Sequence, residues 1–219
     1  MKIKICGLRQ TENIKSLLPL QPDYLGFIFY EKSRRFAEGA LNSQFIKSPR
    51  FAKSSSKGKT TKTPIKTGVF VNEELSEIKA VVEKYELNAV QLHGDESVEF
   101  CEKLKDENIQ VIKVFSVHDE FDFNQTKKYD SVVDLFLFDT KGKERGGNGI
   151  AFNWEILKKY NGEKPFFLSG GIGPEDAAEI KKINHPKLYG VDINSRFEVE
   201  PGLKNIKTVE LFFKKLKNT

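Results

Sequence analysis

Residues 1–8 read MKIKICGL, an alternation of apolar and charged side chains that ends in a turn. A strand places successive side chains on opposite faces, so Lys4 and Cys6 share one face while Ile3 and Ile5 share the other. We expect the isoleucines to pack outward under helices, which leaves Lys4 and Cys6 inside a barrel. A buried lysine needs a carboxylate partner, so the stretch also predicts an acidic residue close to this strand.

Similar short apolar runs recur along the chain, with amphipathic patterns between them. β-Branched and aromatic runs bounded by turn residues predict strands, and apolar residues at helical spacing predict helices. The predicted strands lie at 2–6, 23–29, 66–71, 88–93, 110–115, 134–139, 165–169 and 187–193, and the helices at 73–85, 96–105, 154–160, 175–182 and 206–216. Asn72 and Pro174 are plausible start signals for the helices that follow them. The alternation predicts an α/β fold, a single-domain (β/α)8 TIM barrel over residues 1–219, with a doubly wound open sheet as the alternative.

Composition limits the classes of function. No apolar run approaches the ~20 residues of a membrane span, no signal peptide is apparent, and two cysteines make no disulfide framework, so we expect a cytoplasmic protein without membrane contact. The net charge is +5, but residues 53–64 contain four lysines and no acidic residue. Without them 32 basic residues face 31 acidic ones, which does not indicate nucleic-acid binding. We interpret 53–64 as a mobile insertion in the loop after the second helix.

In a barrel, the carboxyl ends of the strands and the loops after them build the active site. Cys6, Asp139 and Asp192 fall at or near such ends. The ammonium of Lys4 would favour a Cys6 thiolate, although an inert core cysteine is the alternative. Asp139 precedes a glycine-rich loop at 141–149 that could close over a ligand; a helix cap or turn former is the alternative.

Two loops have the features of a phosphate site. Residues 168–174 (LSGGIGP) and 191–195 (VDINS) follow the last two strands, and glycines there let the backbone approach an anion. Phosphate in barrels is frequently held between these two loops. His93 ends the fourth strand and could line the pocket as a substrate-binding residue or cap the next turn. No cluster has the spacing of metal ligands, and Cys101 is a packing residue.

The chain resembles the phosphoribosylanthranilate isomerase family of tryptophan biosynthesis. The resemblance is carried, in order, by KICGL at 4–8, LGFIFY at 25–30 with KSRR at 32–35, GVFVN at 68–72, VQLHGDE at 90–96, FDT at 138–140, GGNG at 146–149, LSGG at 168–171 and GVD at 190–192. It implies a (β/α)8 barrel and an Amadori rearrangement of N-(5-phosphoribosyl)anthranilate without cofactor or metal. The implied partner is a phosphorylated small molecule, and a monomer or homodimer is expected.

The resemblance also assigns roles. It implies Cys6 as general base and Asp139 as general acid, with Arg35 and Asp192 on the anthranilate side of the substrate. The implied phosphate-binding residues are Gly170, Gly171, Asn194 and Ser195. The chain departs from the family at Arg34 (usually Pro), at Asn148 (usually Thr) and at 194–196, where Asn-Ser-Arg replaces a frequent Ser-Ser-Gly. The alternatives are another phosphosugar isomerase or epimerase barrel, or a non-catalytic phosphate-ligand binder.

Overall fold

The computed structural model describes residues 1–48, 63–140 and 154–217, and eight parallel strands within them close into a barrel in sequence order. The first strand pairs with both the second and the eighth. The strands are β1 (Lys2–Ile5), β2 (Tyr24–Ile28), β3 (Ile65–Phe70), β4 (Ala89–Leu92), β5 (Gln110–Val117), β6 (Leu135–Thr140), β7 (Phe166–Ser169) and β8 (Leu188–Ile193). The prediction of a closed (β/α)8 barrel is therefore confirmed, and the open sheet is excluded.

Helices flank the strands on the outside. The α-helices are α1 (Thr11–Leu17), α2 (Ser43–Lys47), α3 (Leu75–Tyr85), α4 (Val98–Lys105), α5 (Ala177–Lys182) and α6 (Ile206–Lys217). Shorter 3₁₀ helices lie at Leu18–Leu20, Phe123–Tyr129, Trp154–Lys159 and Ser195–Phe197. Side-chain caps begin three of the α-helices: the side chain of Asn42 accepts from the Phe45 N–H, that of Ser97 from the Phe100 N–H and that of Asn205 from the Thr208 N–H.

The buried apolar residues form two separate layers, one outside the ring of strands and one inside it. The larger layer joins strands to helices and includes Ile3 and Ile5, both fully buried. The smaller one has buried members from strands alone, which places it inside the barrel: Tyr24, Ala89, Ile112, Val114, Leu135, Leu137 and Phe167. The isoleucines of β1 thus face outward, and Lys4 is fully buried on the other face, as the alternation in residues 1–8 predicted.

The structure differs from the sequence-based expectations in several places. The helix expected directly after Pro174 begins only at Ala177. The stretch predicted as a helix at 154–160 is a 3₁₀ helix. Asn72 does not cap α3, which follows Glu74; Asn72 has a left-handed φ of 51° instead. A hairpin of β9 (Glu198–Glu200) and β10 (Leu203–Lys204), which the sequence did not predict, follows β8. Residues 53–62 of the expected insertion and all of the loop at 141–149 lie outside the described residues.

Candidate active site

One cavity opens at the carboxyl ends of the strands and collects most of the residues singled out from the sequence. It is lined by Cys6, Ile28, Val69, Gln91, His93, Asp139, Ser169, Gly170, Gly171, Ile172, Asp192, Asn194 and Ser195. Arg35 is outside this lining set and lies beside Gly7. The parallel barrel accounts for the convergence, because it brings all strand ends to the same rim.

The thiol of Cys6 lies against a buried ion pair. Cys6 follows β1, and its N–H donates to the Ile193 carbonyl at 2.9 Å, which continues the ladder between β1 and β8. Lys4 Nζ lies 3.1 Å from Asp192 Oδ1, and these side chains are 0% and 5% exposed. Asp192 is therefore the carboxylate partner that a buried Lys4 requires. Gly26 on β2 leaves the space, since a Cβ there would lie 2.8 Å from Cys6 Sγ.

Burial and neighbouring charges shift the pKa values of Cys6, Lys4 and Asp192 in opposite directions. Burial raises the pKa of the Cys6 thiol above its ordinary value, and the ammonium of Lys4 opposes that rise without cancelling it. For Lys4 burial is the largest single influence and acts to lower the pKa, but Asp192 and Cys6 together outweigh it and the pKa is raised. Burial also raises the pKa of Asp192, with Lys4 again opposing. Lys4 thus favours the thiolate as expected, while burial decides the net direction for Cys6.

Asp139 and His93 form the opposite side of the cavity. His93 Nε2 lies 3.5 Å from Asp139 Oδ2, and His93 Nδ1 lies 3.4 Å from Gln91 Nε2. His93 thus faces the carboxyl group and lines the cavity. Gly170 leaves room for that group, because a Cβ on Gly170 would lie 2.7 Å from Asp139 Oδ1.

A buried ion pair that the sequence analysis missed supports the loop after β4. Glu96 accepts hydrogen bonds from the N–H groups of Asn72 and Gly94 at 2.9 and 3.0 Å. Lys113 Nζ donates to Glu96 Oε2 at 2.9 Å and to the Gly94 carbonyl at 2.6 Å. The pair joins the ends of β3 and β4 to the middle of β5, around the residue that follows His93. The feature of the sequence that could have predicted this pair is the glutamate three residues after the strand-end His93.

The two glycine-containing loops lie side by side at the rim. Gly170 and Gly171 have φ values of 94° and 62°, a left-handed conformation that glycine adopts without strain. The Asn194 side chain is engaged elsewhere, because its Oδ1 accepts from Lys204 Nζ at 2.7 Å. Arg196 Nη1 donates to the Gly171 carbonyl at 3.2 Å, so it links the loop after β8 to the loop after β7.

Arg35 is held by a carboxylate that the sequence analysis also missed. Its Nη2 donates to Glu198 Oε2 at 2.6 Å and its Nε to Glu198 Oε1 at 3.0 Å, a bidentate pair. The pair lies next to the turn that follows Cys6, since a Cβ on Gly7 would approach Arg35 Cδ to 2.7 Å. Arg35 is therefore close to the thiol.

The chain is similar to known proteins both in sequence and in structure. The family model for N-(5'-phosphoribosyl)anthranilate (PRA) isomerase matches residues 3–215. The chain is 41% identical to the N-(5'-phosphoribosyl)anthranilate isomerase of Parabacteroides distasonis, covering 99% of this chain and 93% of the relative. It is 38% identical to that of Phocaeicola vulgatus, covering 99% and 98%.

Solved structures of phosphoribosyl anthranilate isomerases also superpose on this chain. A phosphoribosyl anthranilate isomerase from Thermotoga maritima superposes with a TM-score of 0.80 at 32% identity, with 100% of both chains covered. A phosphoribosyl anthranilate isomerase bound to reduced 1-(o-carboxyphenylamino)-1-deoxyribulose 5-phosphate superposes with a TM-score of 0.79 at 30% identity, again with 100% of both chains covered.

Proposed function

Because the chain belongs to the N-(5'-phosphoribosyl)anthranilate isomerase family, we propose that Cys6 and Asp139 are the general base and general acid of its reaction. The activity is the Amadori rearrangement of N-(5-phosphoribosyl)anthranilate to 1-(2-carboxyphenylamino)-1-deoxyribulose 5-phosphate in tryptophan biosynthesis. The observation that carries the assignment is the single cavity lined by both side chains, at the strand ends where a barrel builds its active site.

Asp139 supplies the proton that opens the sugar ring. The substrate is an N-glycoside, so protonation of the ring oxygen lets the C1′–O bond break while the nitrogen lone pair forms a C1′=N double bond. The proton moves from the carboxylic acid to the ring oxygen, which becomes the 4′-hydroxyl, and a cationic Schiff base results. The contact at 3.5 Å between His93 Nε2 and Asp139 Oδ2 supports a role for His93 in orienting this acid.

Cys6 takes the next proton. Its thiolate removes the proton from C2′, and the electrons of that C–H bond form a C1′=C2′ double bond while the nitrogen becomes neutral. The enolamine then gains a proton at C1′ and loses one from the 2′-hydroxyl to give the ketone, so the sequence is redox-neutral overall. A desolvated thiolate is a strong base toward carbon, and Lys4 limits how far burial raises the pKa of the thiol.

Binding would orient the substrate across the rim. We assign its phosphate to the backbone of Gly170, Gly171, Asn194 and Ser195, and its anthranilate carboxylate to the side where Arg35 and Asp192 lie. Two negative ends fixed in this way would place the ribose between Cys6 and Asp139. Among the described residues the Oε1 atom of Gln91 has no hydrogen-bond partner, which supports its use as an acceptor for a ribose hydroxyl.

The cellular setting is proposed on more general grounds. None of the helices in the described residues is long and apolar enough to cross a membrane. We propose a cytoplasmic enzyme whose chain, 1–219, is one domain. A related isomerase from Thermotoga maritima is described as dimeric. Light scattering on the purified protein would distinguish the monomer from the homodimer.

The decisive test is loss of substrate fluorescence on incubation with phosphoribosylanthranilate. Cys6→Ala and Asp139→Asn should each lower kcat by about 10²–10⁴, the usual contribution of an acid or base. Cys101→Ala and Asp106→Asn are matched controls, since Cys101 is buried on α4 and Asp106 lies just after that helix. Near-normal turnover by Cys6→Ala would remove the assignment of the base, and a wild type without turnover would favour the non-catalytic binder.

A further inference from the structure

The β9–β10 hairpin stands outside the barrel, yet the side chains of its first and last residues are buried beside the active site. β9 begins at Glu198 and β10 ends at Lys204. The Lys204 side chain is 0% exposed and that of Glu198 is 4% exposed. Removing two charges from water costs several kcal/mol each unless both are fully paired, so the partners of each charge decide what the hairpin does.

Lys204 is held through its backbone and its side chain. Its Nζ donates to Glu198 Oε1 at 2.7 Å, to Asn194 Oδ1 at 2.7 Å and to the Asn194 carbonyl at 3.3 Å. An ammonium has three N–H donors, so these three acceptors saturate it. The Asn13 side chain on α1 accepts from the Lys204 N–H and donates to the Lys204 carbonyl, both at 2.9 Å. The position of this charge is therefore fixed.

Glu198 connects Lys204 to Arg35. Its carboxylate accepts from Lys204, from the Gly202 N–H at 3.1 Å and, through both oxygens, from the Arg35 guanidinium. Burial opposes ionisation of this carboxyl, but hydrogen bonds from Arg35 and Lys204 outweigh burial and hold the pKa of Glu198 below its ordinary value. Glu198 is thus an anion that bridges two cations.

The two ends of this network meet at the turn after Cys6. A Cβ on Gly7 would lie 2.6 Å from Asn194 Oδ1 and 2.7 Å from Arg35 Cδ. Arg35 and Asn194 therefore both pack against Gly7, on the side where a Cβ would stand. Glu198 and Lys204 hold these two side chains, so the hairpin fixes the groups that pack against the residue next to the thiol.

The charges on this side of the cavity do not cancel until the thiol ionises. Among the described residues, five charged side chains form two linked groups on this side: Lys4 on β1 with Asp192 on β8, and Arg35 after β2 with Glu198 on β9 and Lys204 on β10. They sum to one positive charge, and a thiolate brings the sum to zero. Asp139 and His93 face Cys6 from the other side as the pair described above.

We propose that Glu198 and Lys204 are positioning residues for the isomerisation: the hairpin holds Arg35 and Asn194 against Gly7, and Lys204 supplies the charge that balances the Cys6 thiolate. The effect on catalysis rests on the proposed function. The effect of Lys204 on the ionisation of Cys6 does not depend on it. The charge of Lys204 acts to lower the pKa of Cys6, in agreement with the geometry. Burial acts in the opposite direction and is the larger influence, so the pKa is raised overall.

The test measures the ionisation of Cys6 directly. In a Cys101→Ala background, the rate of alkylation by iodoacetamide as a function of pH gives the pKa of the remaining thiol. Lys204→Met should raise this pKa by about one unit, and Glu198→Gln should lower it by a similar amount. Opposite shifts distinguish lost charges from loosened packing, which would move both variants in the same direction. Lys66→Met, which removes a buried lysine at the start of β3, is the matched control and should leave this pKa unchanged.

Steady-state kinetics supply the second readout. Glu198→Gln should raise KM several-fold because Arg35 loses its anchor, whereas Lys204→Met should lower kcat at neutral pH and move the ionisation limb of the pH profile upward. Shifts of the same sign, or an unchanged Cys6 pKa in both variants, would overturn the proposal. If Lys204→Met does not fold, Glu198→Gln decides alone, because its side chain keeps its size. A wild type without turnover would reject the proposed function and leave the alkylation result to judge the electrostatic role.

Discussion

Lys113 Nζ and Glu96 Oε2 lie 2.9 Å apart, and the two side chains are only 3% and 2% exposed, so the loop after β4 is built on a buried ion pair. Replacing Lys113 with Met leaves the carboxylate of Glu96 buried without its cation. We expect the free energy of unfolding to fall by about 3–5 kcal/mol, the usual cost of breaking such a pair. Urea denaturation would measure it.

The double variant Lys113→Met/Glu96→Gln is the control for this first prediction. Its carboxylate charge is gone, so it should recover a substantial part of the lost stability. A double variant as unstable as Lys113→Met would show that packing around the lysine, and not the charge, holds this loop.

Gly26 provides the space in which the Cys6 thiol and the Lys4 ammonium meet. A Cβ at this position would lie 2.8 Å from Cys6 Sγ and 3.0 Å from Lys4 Nζ. Gly26→Ala should therefore displace both groups, lower kcat by at least about tenfold and cost about 1–3 kcal/mol of stability through overpacking. Steady-state turnover and thermal unfolding on one preparation would separate the two effects. Unaltered turnover would mean that neither group needs its present position.

We expect the buried thiol of Cys101 to contribute to a loss of stability at alkaline pH. Burial raises the pKa of its thiol from 9.0 to about 11 in the folded protein. A folded state that retains this proton while the unfolded chain releases it loses stability as pH rises above 9.0, and the loss is complete above about 11. Cys101→Ala should therefore show a shallower decline in the urea midpoint between pH 8 and 10.5. Parallel curves for the two proteins would contradict this assignment.

Arg196 links the two loops to which we assign the substrate phosphate. Its Nη1 donates to the Gly171 carbonyl, and its Nη2 lies 2.5 Å from Glu175 Oε1. Arg196→Gly should loosen the loop after β7 and raise KM by about two- to tenfold, with kcat retained, because the chemistry lies elsewhere. Arg196→Lys, which keeps the charge but not the planar guanidinium, should restore little of the lost affinity. A fall in kcat without a change in KM would contradict the predicted role.

The sequence was most informative where a local period determined the structure. Alternation in residues 1–8 predicted both the buried isoleucines and a carboxylate partner for Lys4, and the strand ends identified Asp139 and His93 as neighbours of the cavity. The sequence could not predict which residues pair with Lys4 and Arg35, because their partners are distant along the chain. Lys4 and Asp192 are 188 positions apart, and Arg35 and Glu198 are 163 apart, so only closure of the barrel brings them together. Glu198 and Lys204 look like ordinary loop charges in the sequence, because nothing local indicates that they are buried.

The pairing of β1 with β8 has a consequence for how the enzyme is made. Lys4 is aligned with Asp192 in that pairing, and Lys204 follows β8 in the hairpin. Asp192 and Lys204 are synthesised long after Cys6, so the thiol has neither charge beside it until β8 pairs with β1. The surroundings of Cys6 are therefore completed by closure of the barrel, and not by local folding of the first strand.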